Sequence, residues 1–272
     1  GAANAAPVFK EESARMQVRP FLRGIRLDRE WVPDFEEYPF CIPAVRALEE
    51  LAFHEAVTFF VGENGTGKST LLEAIAVACG FCPEGGGRNF QVETRATHSP
   101  LWRYLLPLRG PLSPRDGYFL RAESFYNVAT AIDELDRVPA PAPFIRDAYG
   151  GSPHACSHGE SFFALLHNRL GGNGLYLFDE PEAALSPARQ LAMLAEMRRL
   201  VEAGSQLILS THSPILLAYP DSRIYQLDGT GIRPIAYEEA EAVRITRAFL
   251  SRPEQTVRQL LQAEENRPLS GE

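Results

Sequence analysis

The sequence predicts an α/β fold in which a mostly parallel sheet is flanked by helices. The segment 57–61 is apolar and β-branched, and it is followed by a glycine-rich loop and then by apolar residues at helical spacing. A later apolar segment within 175–180 ends in two carboxylates. Another, within 206–213, ends in hydroxyl groups and an imidazole. Because the carboxyl ends of parallel strands meet at one edge of a sheet, these polar groups are expected to form one site.

The glycine loop fits the phosphate-binding pattern G-x-x-x-x-G-K-[S/T], since residues 62–70 are G-E-N-G-T-G-K-S-T. Such a loop turns successive backbone N–H groups and a helix start toward a phosphate. Lys68 is expected to reach the phosphate oxygens and Ser69 to bind Mg²⁺. The predicted nucleotide-binding residues of the loop are Gly62, Glu63, Asn64, Gly65, Thr66, Gly67, Lys68, Ser69 and Thr70.

Lysine occurs at only two positions, 10 and 68, among 27 basic residues. One of the two lysines is therefore the one that phosphate binding requires. The same scarcity excludes an N-K-x-D motif for guanine, so ATP with Mg²⁺ is the expected ligand.

The two later segments supply the remaining predicted chemistry. Asp179 ends an apolar strand and is expected to hold Mg²⁺, while Glu180 beside it is expected to polarise the attacking water. His212 follows the next strand and is expected to contact the γ-phosphate. With Lys68, the residues Glu180 and His212 form the predicted catalytic set.

In their order along the chain, the P-loop, D-E-P at 179–181 and S-T-H-S at 210–213 resemble the ATP-binding-cassette (ABC) ATPases. The resemblance implies a small antiparallel β subdomain and a short helical subdomain beside the main sheet. The segment C-S-H-G-E at 156–160 resembles the signature loop of this family: Ser157 and Gly159 match it, whereas Cys156, His158 and Glu160 differ. These differences resemble a non-transporter branch that includes bacterial stand-alone predicted AAA/ABC-like ATPases with an S-H-G-E-S signature.

That resemblance implies an ATP-dependent homodimer in which Ser157, Gly159 and Glu160 bind the nucleotide held by the opposite subunit. It also places Glu123 where the family has a metal-sensing glutamine, as a third metal residue beside Ser69 and Asp179. An aromatic side chain that stacks on adenine is not fixed by the sequence. Trp31, Tyr38 and Phe40 precede the loop, and each fits the core equally well.

The predicted organisation is a flexible N-terminus at 1–16 and one domain at 17–272. Within that domain, 88–157 is expected to be an inserted helical and signature region and 238–272 a C-terminal helical segment. The last segment either packs on the core or docks a partner.

Six arginines between positions 88 and 121 form a basic segment, which is either a solvated face or a docking surface for an acidic partner or nucleic acid: Arg88, Arg95, Arg103, Arg109, Arg115 and Arg121.

The bulk composition limits the functional classes. A net charge of −8 argues against wholesale coating of nucleic acid. No apolar run approaches 18 residues, so no membrane domain is expected. The four cysteines are few for this length, which favours a cytoplasmic protein. Cys79 and Cys82 lack a second cysteine or histidine pair at zinc-ligand spacing.

The leading hypothesis is an ATP hydrolase whose homodimer drives a conformational switch in an unknown partner protein or nucleic acid. Two alternatives stay open. One is a nucleotide-gated binding module with slow turnover. The other is a small-molecule P-loop kinase, in which the arginines at 88–121 would form the lid.

Overall fold

A computed structural model of the chain describes residues 20–87, 99–121 and 163–265. The described strands are β1 (Leu22–Leu27), β2 (Glu50–Ala52), β3 (Val57–Val61), β4 (Gly86–Gly87), β5 (Leu105–Arg109), β6 (Asp116–Arg121), β7 (Gly174–Asp179), β8 (Gln206–Ser210), β9 (Ser222–Asp228) and β10 (Gly231–Ile235). The described α-helices are α1 (Pro43–Arg46), α2 (Lys68–Ala78), α3 (Pro187–Glu202), α4 (Glu241–Ser251) and α5 (Pro253–Glu265).

The main sheet has the strand order β10-β9-β3-β8-β7-β6-β4 within the described ranges. Strands β9, β3, β8, β7 and β6 run parallel to their neighbours, and the edge strands β10 and β4 pair antiparallel. All five residues of β3 and all five of β8 are buried. The mostly parallel sheet predicted from the sequence is confirmed.

Helices cover both faces of this sheet. On one face, Leu71, Leu72 and Ile75 of α2 pack in a core that includes Phe60 of β3. On the other face, Met193, Met197 and Leu200 of α3 pack in a core that includes Phe59. Because successive side chains of a strand point to opposite faces, the adjacent residues Phe59 and Phe60 belong to different cores.

A small antiparallel sheet with the order β2-β1-β5 lies on the α2 side, where Leu22, Ile25 and Leu51 join the same core as α2. The buried amide of Gln206, the first residue of β8, ties the two sheets together. Its Oε1 accepts from the Leu22 N–H at 2.9 Å, and its Nε2 donates to the Leu22 and His54 carbonyls at 2.8 and 2.9 Å. The predicted β subdomain is therefore present.

The interval 88–157 differs from the predicted helical insertion in the part that the structure describes. Residues 99–121 form a short 3₁₀ turn at Pro100–Tyr104 and then the strands β5 and β6. Strand β5 completes the small sheet and β6 extends the main sheet beside β7. The described part of the interval is therefore sheet rather than helix, and the helical assignment of its other residues, which lie outside the described ranges, remains a prediction.

The C-terminal segment is helical from Glu241, with a break between α4 and α5 at Arg252 and Pro253. Helix α4 buries Val243 against the core, whereas Val257, Leu260 and Leu261 on α5 are exposed. The structure thus places α4 on the core and leaves α5 uncovered by the other described residues. No helix in the described ranges combines the length and apolar character that crossing a membrane requires.

Candidate functional site

The loop after β3 and the ends of β7 and β8 bring the predicted catalytic residues Lys68, Glu180 and His212 together at one edge of the main sheet. These three strands are neighbours, in the order β3-β8-β7, and all run parallel. The register pairs Phe60 with Ser210 and Asp179 with Ser210, so the three strand ends lie level. Chain segments far apart in sequence therefore supply one site.

The glycine loop has the backbone form that its composition predicts. Gly62, Gly65 and Gly67 have φ values of 150°, 82° and 94°, and residues other than glycine rarely adopt such positive values. A Cβ on Gly62 would lie 2.2 Å from the Leu227 carbonyl oxygen, so the chain passes too close to β9 for any side chain there. Gly67 precedes α2 directly, which aims the helix start at the mouth of the loop.

Lys68 is buried at the first position of α2. Its Nζ donates to the Glu63 carbonyl at 3.0 Å, which folds the side chain back over the loop, and lies 3.9 Å from Glu180 Oε1. Burial lowers the pKa of the Lys68 ammonium, while nearby carboxylates, first Glu180 and then Asp179, oppose that shift. The loop thus holds one cation against the carboxylates at the end of β7.

Asp179 ends β7 as a buried carboxylate among hydroxyl groups. Ser210 Oγ donates to its Oδ1 at 2.5 Å, and the Ser69 hydroxyl also hydrogen-bonds to it. Burial raises the pKa of Asp179, and the bond from Ser210 and the charge of Arg121 oppose the rise. Oxygen donors of this kind suit Mg²⁺. Since no three His, Cys, Asp or Glu side chains in the described ranges converge on a metal position, Mg²⁺ would take its other ligands from phosphate and water.

Glu180 has left-handed backbone angles of φ 48° and ψ 52°, a conformation that costs a non-glycine residue about 1–2 kcal/mol. Its N–H donates to the Ser210 carbonyl at 3.1 Å, which fixes the turn out of the sheet. The carboxylate then lies with Oε1 3.4 Å from His212 Nε2. Strain kept at a residue that faces the site favours a functional role for its side chain.

A hydrogen bond from the backbone N–H of His212 holds this residue in place. Its N–H donates to Glu182 Oε1 at 2.5 Å, and burial raises the pKa of that Glu182 carboxyl. The His212 Nε2 is buried and has no hydrogen-bond partner within the described part of the chain. An imidazole nitrogen left unsatisfied beside Glu180 can bind an oxygen atom of a ligand.

The three aromatic residues that could stack on adenine lie in different environments. Phe40 is buried in the core and packs edge-on against Tyr104 at 5.0 Å between ring centroids. Trp31 is exposed on a short 3₁₀ turn. Tyr38 is 63% exposed and its hydroxyl lies 3.4 Å from Oγ1 of Thr70 in the first turn of α2, so of the three candidates it is the one next to the loop.

Two protein-family profiles match the segments that carry this geometry. One, described as an AAA domain, matches residues 42–101. The other, described as an AAA domain, putative AbiEii toxin, Type IV TA system, matches residues 161–218. Together they include the loop and the ends of β7 and β8.

Curated relatives extend the match over most of the chain. The cobalt import ATP-binding protein CbiO of Salmonella typhimurium is 30% identical over 200 residues, which cover 68% of this chain and 72% of the relative. The chain belongs to the ABC family of P-loop ATPases. The hemin import ATP-binding protein HmuV of Chelativorans is 27% identical to this ABC ATPase and covers 57% of the chain and 65% of its own length. The macrolide export protein MacB of Neisseria meningitidis is 25% identical and matches over 28% of its length.

Solved structures similar to this ABC ATPase include the SMC head domain of Thermotoga maritima and cbiO1 of Clostridium perfringens, each 16% identical. Their TM-scores are 0.38 and 0.44. The match covers 69% of this chain and 93% of the SMC head, and 79% of this chain and 91% of cbiO1.

Some predicted site residues of this ABC ATPase are not among those that the structure describes. Glu123 and the signature residues Ser157, Gly159 and Glu160 lie outside the described ranges. Their assignments as metal residue and nucleotide-binding residues remain predictions.

Two side chains in the site, Glu73 and Glu182, were not singled out by the sequence, and Ser210 was named only as part of the S-T-H-S segment, without its bond to Asp179. Arg121 was assigned to the basic segment at 88–121, and that assignment is wrong for this residue, because its side chain turns inward while Arg103, Arg109 and Arg115 are exposed. The register of β6 on β7, which pairs Arg121 with Asp179, is the signal that could have found it.

Proposed function

We propose that this ABC ATPase binds Mg-ATP and hydrolyses it to ADP and phosphate. The observation that carries the proposal is the position of Glu180 Oε1, which is 3.9 Å from Lys68 Nζ and 3.4 Å from His212 Nε2. A carboxylate, an ammonium and an unsatisfied imidazole nitrogen thus meet beside a phosphate-binding loop. Hydrolysis of a phosphoanhydride requires a base or water-positioning group, a cation and a γ-phosphate contact at one place.

Each residue then has a distinct task. The N–H groups of loop 62–67 and the start of α2 bind the phosphates, and Lys68 neutralises charge on their oxygens. Glu180 orients the attacking water and accepts its proton. His212 Nε2 hydrogen-bonds the γ-phosphate and so responds to its loss. Ser69 and Asp179 would hold Mg²⁺, which supplies further charge neutralisation on the phosphate oxygens.

The adenine base has a place beside Tyr38. The ring is largely exposed and its hydroxyl lies next to Thr70, the residue after the predicted metal-binding Ser69. An exposed ring that loses little conformational freedom on binding is suited to stacking on a base. We therefore assign adenine stacking to Tyr38 rather than to Phe40, whose ring is buried in the core.

Hydrolysis is proposed to open a homodimer that two ATP molecules hold closed. The support is the resemblance of residues 156–160 to the family signature, with Ser157, Gly159 and Glu160 contacting the nucleotide of the opposite subunit. The divergence of that signature supports a non-transporter role in which closing and opening act on a partner protein or nucleic acid.

The substitution Glu180→Gln tests both the proposed hydrolysis of ATP and the proposed ATP-dependent dimer. The change keeps the size of the side chain and removes the base, so we expect turnover to fall about 10²- to 10⁴-fold and Mg-ATP to shift the solution mass from monomer to dimer. Glu202→Gln, at the far end of α3, is the control and should hydrolyse ATP like wild type. Wild-type turnover by Glu180→Gln would contradict the catalytic role. ATP-dependent dimers of a wild-type chain without turnover would instead indicate the nucleotide-gated binding module.

A further inference from the structure

Arg121 occupies a position for which neither the fold nor the proposed chemistry has yet given a reason. It is the last residue of β6, and the parallel register places it beside Asp179. Its side chain is only 19% exposed, and Nη1 donates to Glu73 Oε2 at 2.5 Å and to the Pro83 carbonyl at 3.3 Å. Glu73 lies one turn along α2 from Ser69 and is itself 11% exposed. The guanidinium is therefore anchored to the helix that carries the phosphate-binding loop.

The opposite side of the same guanidinium faces Asp179. Arg121 Nε lies 3.7 Å from Asp179 Oδ2, too far for a hydrogen bond but close enough for a strong charge interaction. This Nε is buried and, within the described part of the chain, has no hydrogen-bond partner. Arg121 is thus bonded to Glu73 and acts on Asp179 through charge, while its Nε–H makes no hydrogen bond in the described part of the chain. A buried donor left unsatisfied next to a buried carboxylate is unusual and calls for an explanation.

We propose that Arg121 is a built-in counter-ion of Asp179 that competes with Mg²⁺ for this carboxylate. Without metal, the guanidinium compensates the charge of Asp179. When Mg²⁺ binds, the two cations repel each other, and Arg121 keeps its bond to Glu73 while its interaction with Asp179 weakens. Arg121 is a positioning residue, since it acts through Asp179, and its role rests on the proposed function.

A purely structural ion pair is the competing explanation, and the start of the same strand supplies a matched example of one. Asp116, the first residue of β6, accepts two hydrogen bonds from Arg169 Nη1, each 3.0 Å, and one from the Tyr176 hydroxyl at 3.0 Å. That pair lies at the opposite edge of the sheet from the site. Removing the Asp116–Arg169 pair shows what the loss of a partly buried arginine–carboxylate pair does by itself. Any additional effect of removing Arg121 can then be attributed to the lost charge beside Asp179.

The test measures the Mg²⁺ concentration that half-saturates binding of a fluorescent ATP analogue at fixed nucleotide concentration. Glu73→Gln/Arg121→Met removes both charges and so avoids leaving Glu73 buried without a partner. Arg121→Gln is a second charge-free variant that can still donate to Glu73, and Arg121→Lys keeps the charge. Asp116→Asn/Arg169→Met is the control. Thermal melts establish that each variant is folded.

We expect half-saturating Mg²⁺ to fall about fivefold or more in the charge-free variants, a typical size for coupling between two binding events. Binding of the analogue in EDTA should change less than twofold, and Arg121→Lys and the Asp116/Arg169 control should behave like wild type. An unchanged or higher Mg²⁺ requirement in a folded charge-free variant would overturn the proposal, as would an equal shift in the control. If the wild-type chain binds no Mg-ATP, the proposed function itself fails, and the role of Arg121 fails with it.

Discussion

Replacing Gln206 by methionine should show how strongly the small sheet is held to the main sheet. Methionine has a similar length and no hydrogen-bonding amide, so the packing volume is nearly kept. The substitution leaves the N–H and the carbonyl of Leu22 without their partner, and both of these bonds are buried. A third bond, to the His54 carbonyl, is only partly buried and contributes less.

The expected loss follows from these contacts. Each buried backbone group that loses its partner costs about 1–3 kcal/mol, so the two Leu22 groups together give about 2–6 kcal/mol. A domain of ordinary stability has about 5–15 kcal/mol in total, so the change consumes a large part of it. The mutant should therefore be folded only at low temperature or low denaturant.

Urea unfolding followed by circular dichroism measures this loss through the shift of the transition midpoint at constant slope. Gln259→Met on the exposed face of α5 is the control, since it changes the same residue type at the surface and should stay within about 0.5 kcal/mol of wild type. A loss below about 1 kcal/mol for Gln206→Met would refute the reasoning, because it would mean that water or relaxed backbone replaces the amide at no cost.

Three further predictions concern the site and its surroundings. Tyr38→Ala should weaken ATP binding by about 1–3 kcal/mol, roughly 5- to 150-fold in Kd by equilibrium titration, whereas Trp31→Ala should leave Kd unchanged. Gly62→Ala should fail to fold stably because its Cβ would lie 2.2 Å from a backbone oxygen, while Gly65→Ala, with open space around the new methyl group, should cost only about 1–2 kcal/mol in a thermal melt. Burial lowers the pKa of His54 below its ordinary value of 6.5, so the folded state favours the neutral ring, and its stability contribution is present above pH 6.5 and lost as pH falls below it. His54→Asn, which keeps an acceptor for the backbone, should therefore lose less melting temperature than wild type between about pH 7.5 and 5.5, and an equal loss in both proteins would contradict the assignment.

The parts of this fold that repeat a simple pattern could be predicted from the sequence. The apolar segment Val57–Val61 is buried at every position because a central parallel strand is covered on both faces, and this produces a continuous apolar run. Lys68, Asp179, Glu180 and His212 could be placed together because each follows or ends such a strand. Their convergence required only that the strands be parallel neighbours.

The parts that depend on pairing between distant segments could not be predicted in the same way. Strand β5 contains Pro107 and lies in an arginine-rich interval, and only its pairing with β1 makes it a strand. Arg121 gave no local sign of pointing inward, because the sequence does not state which residue it faces on β7. Helix α5 has the apolar spacing of a core helix, yet Val257, Leu260 and Leu261 are exposed, so amphipathic spacing alone did not reveal what covers it.

The convergence of three strand ends means that a bound nucleotide would act as a reversible cross-link of the chain. Positions 68, 180 and 212 meet only after the segments between them have been placed, so a partly formed sheet presents no complete site. Ligand that binds only the folded chain stabilises it by about 2.7 kcal/mol at one hundred times its Kd. Nucleotide concentration would then set how long the chain survives proteases as well as how fast it works, and a cell depleted of ATP would hold a less durable protein.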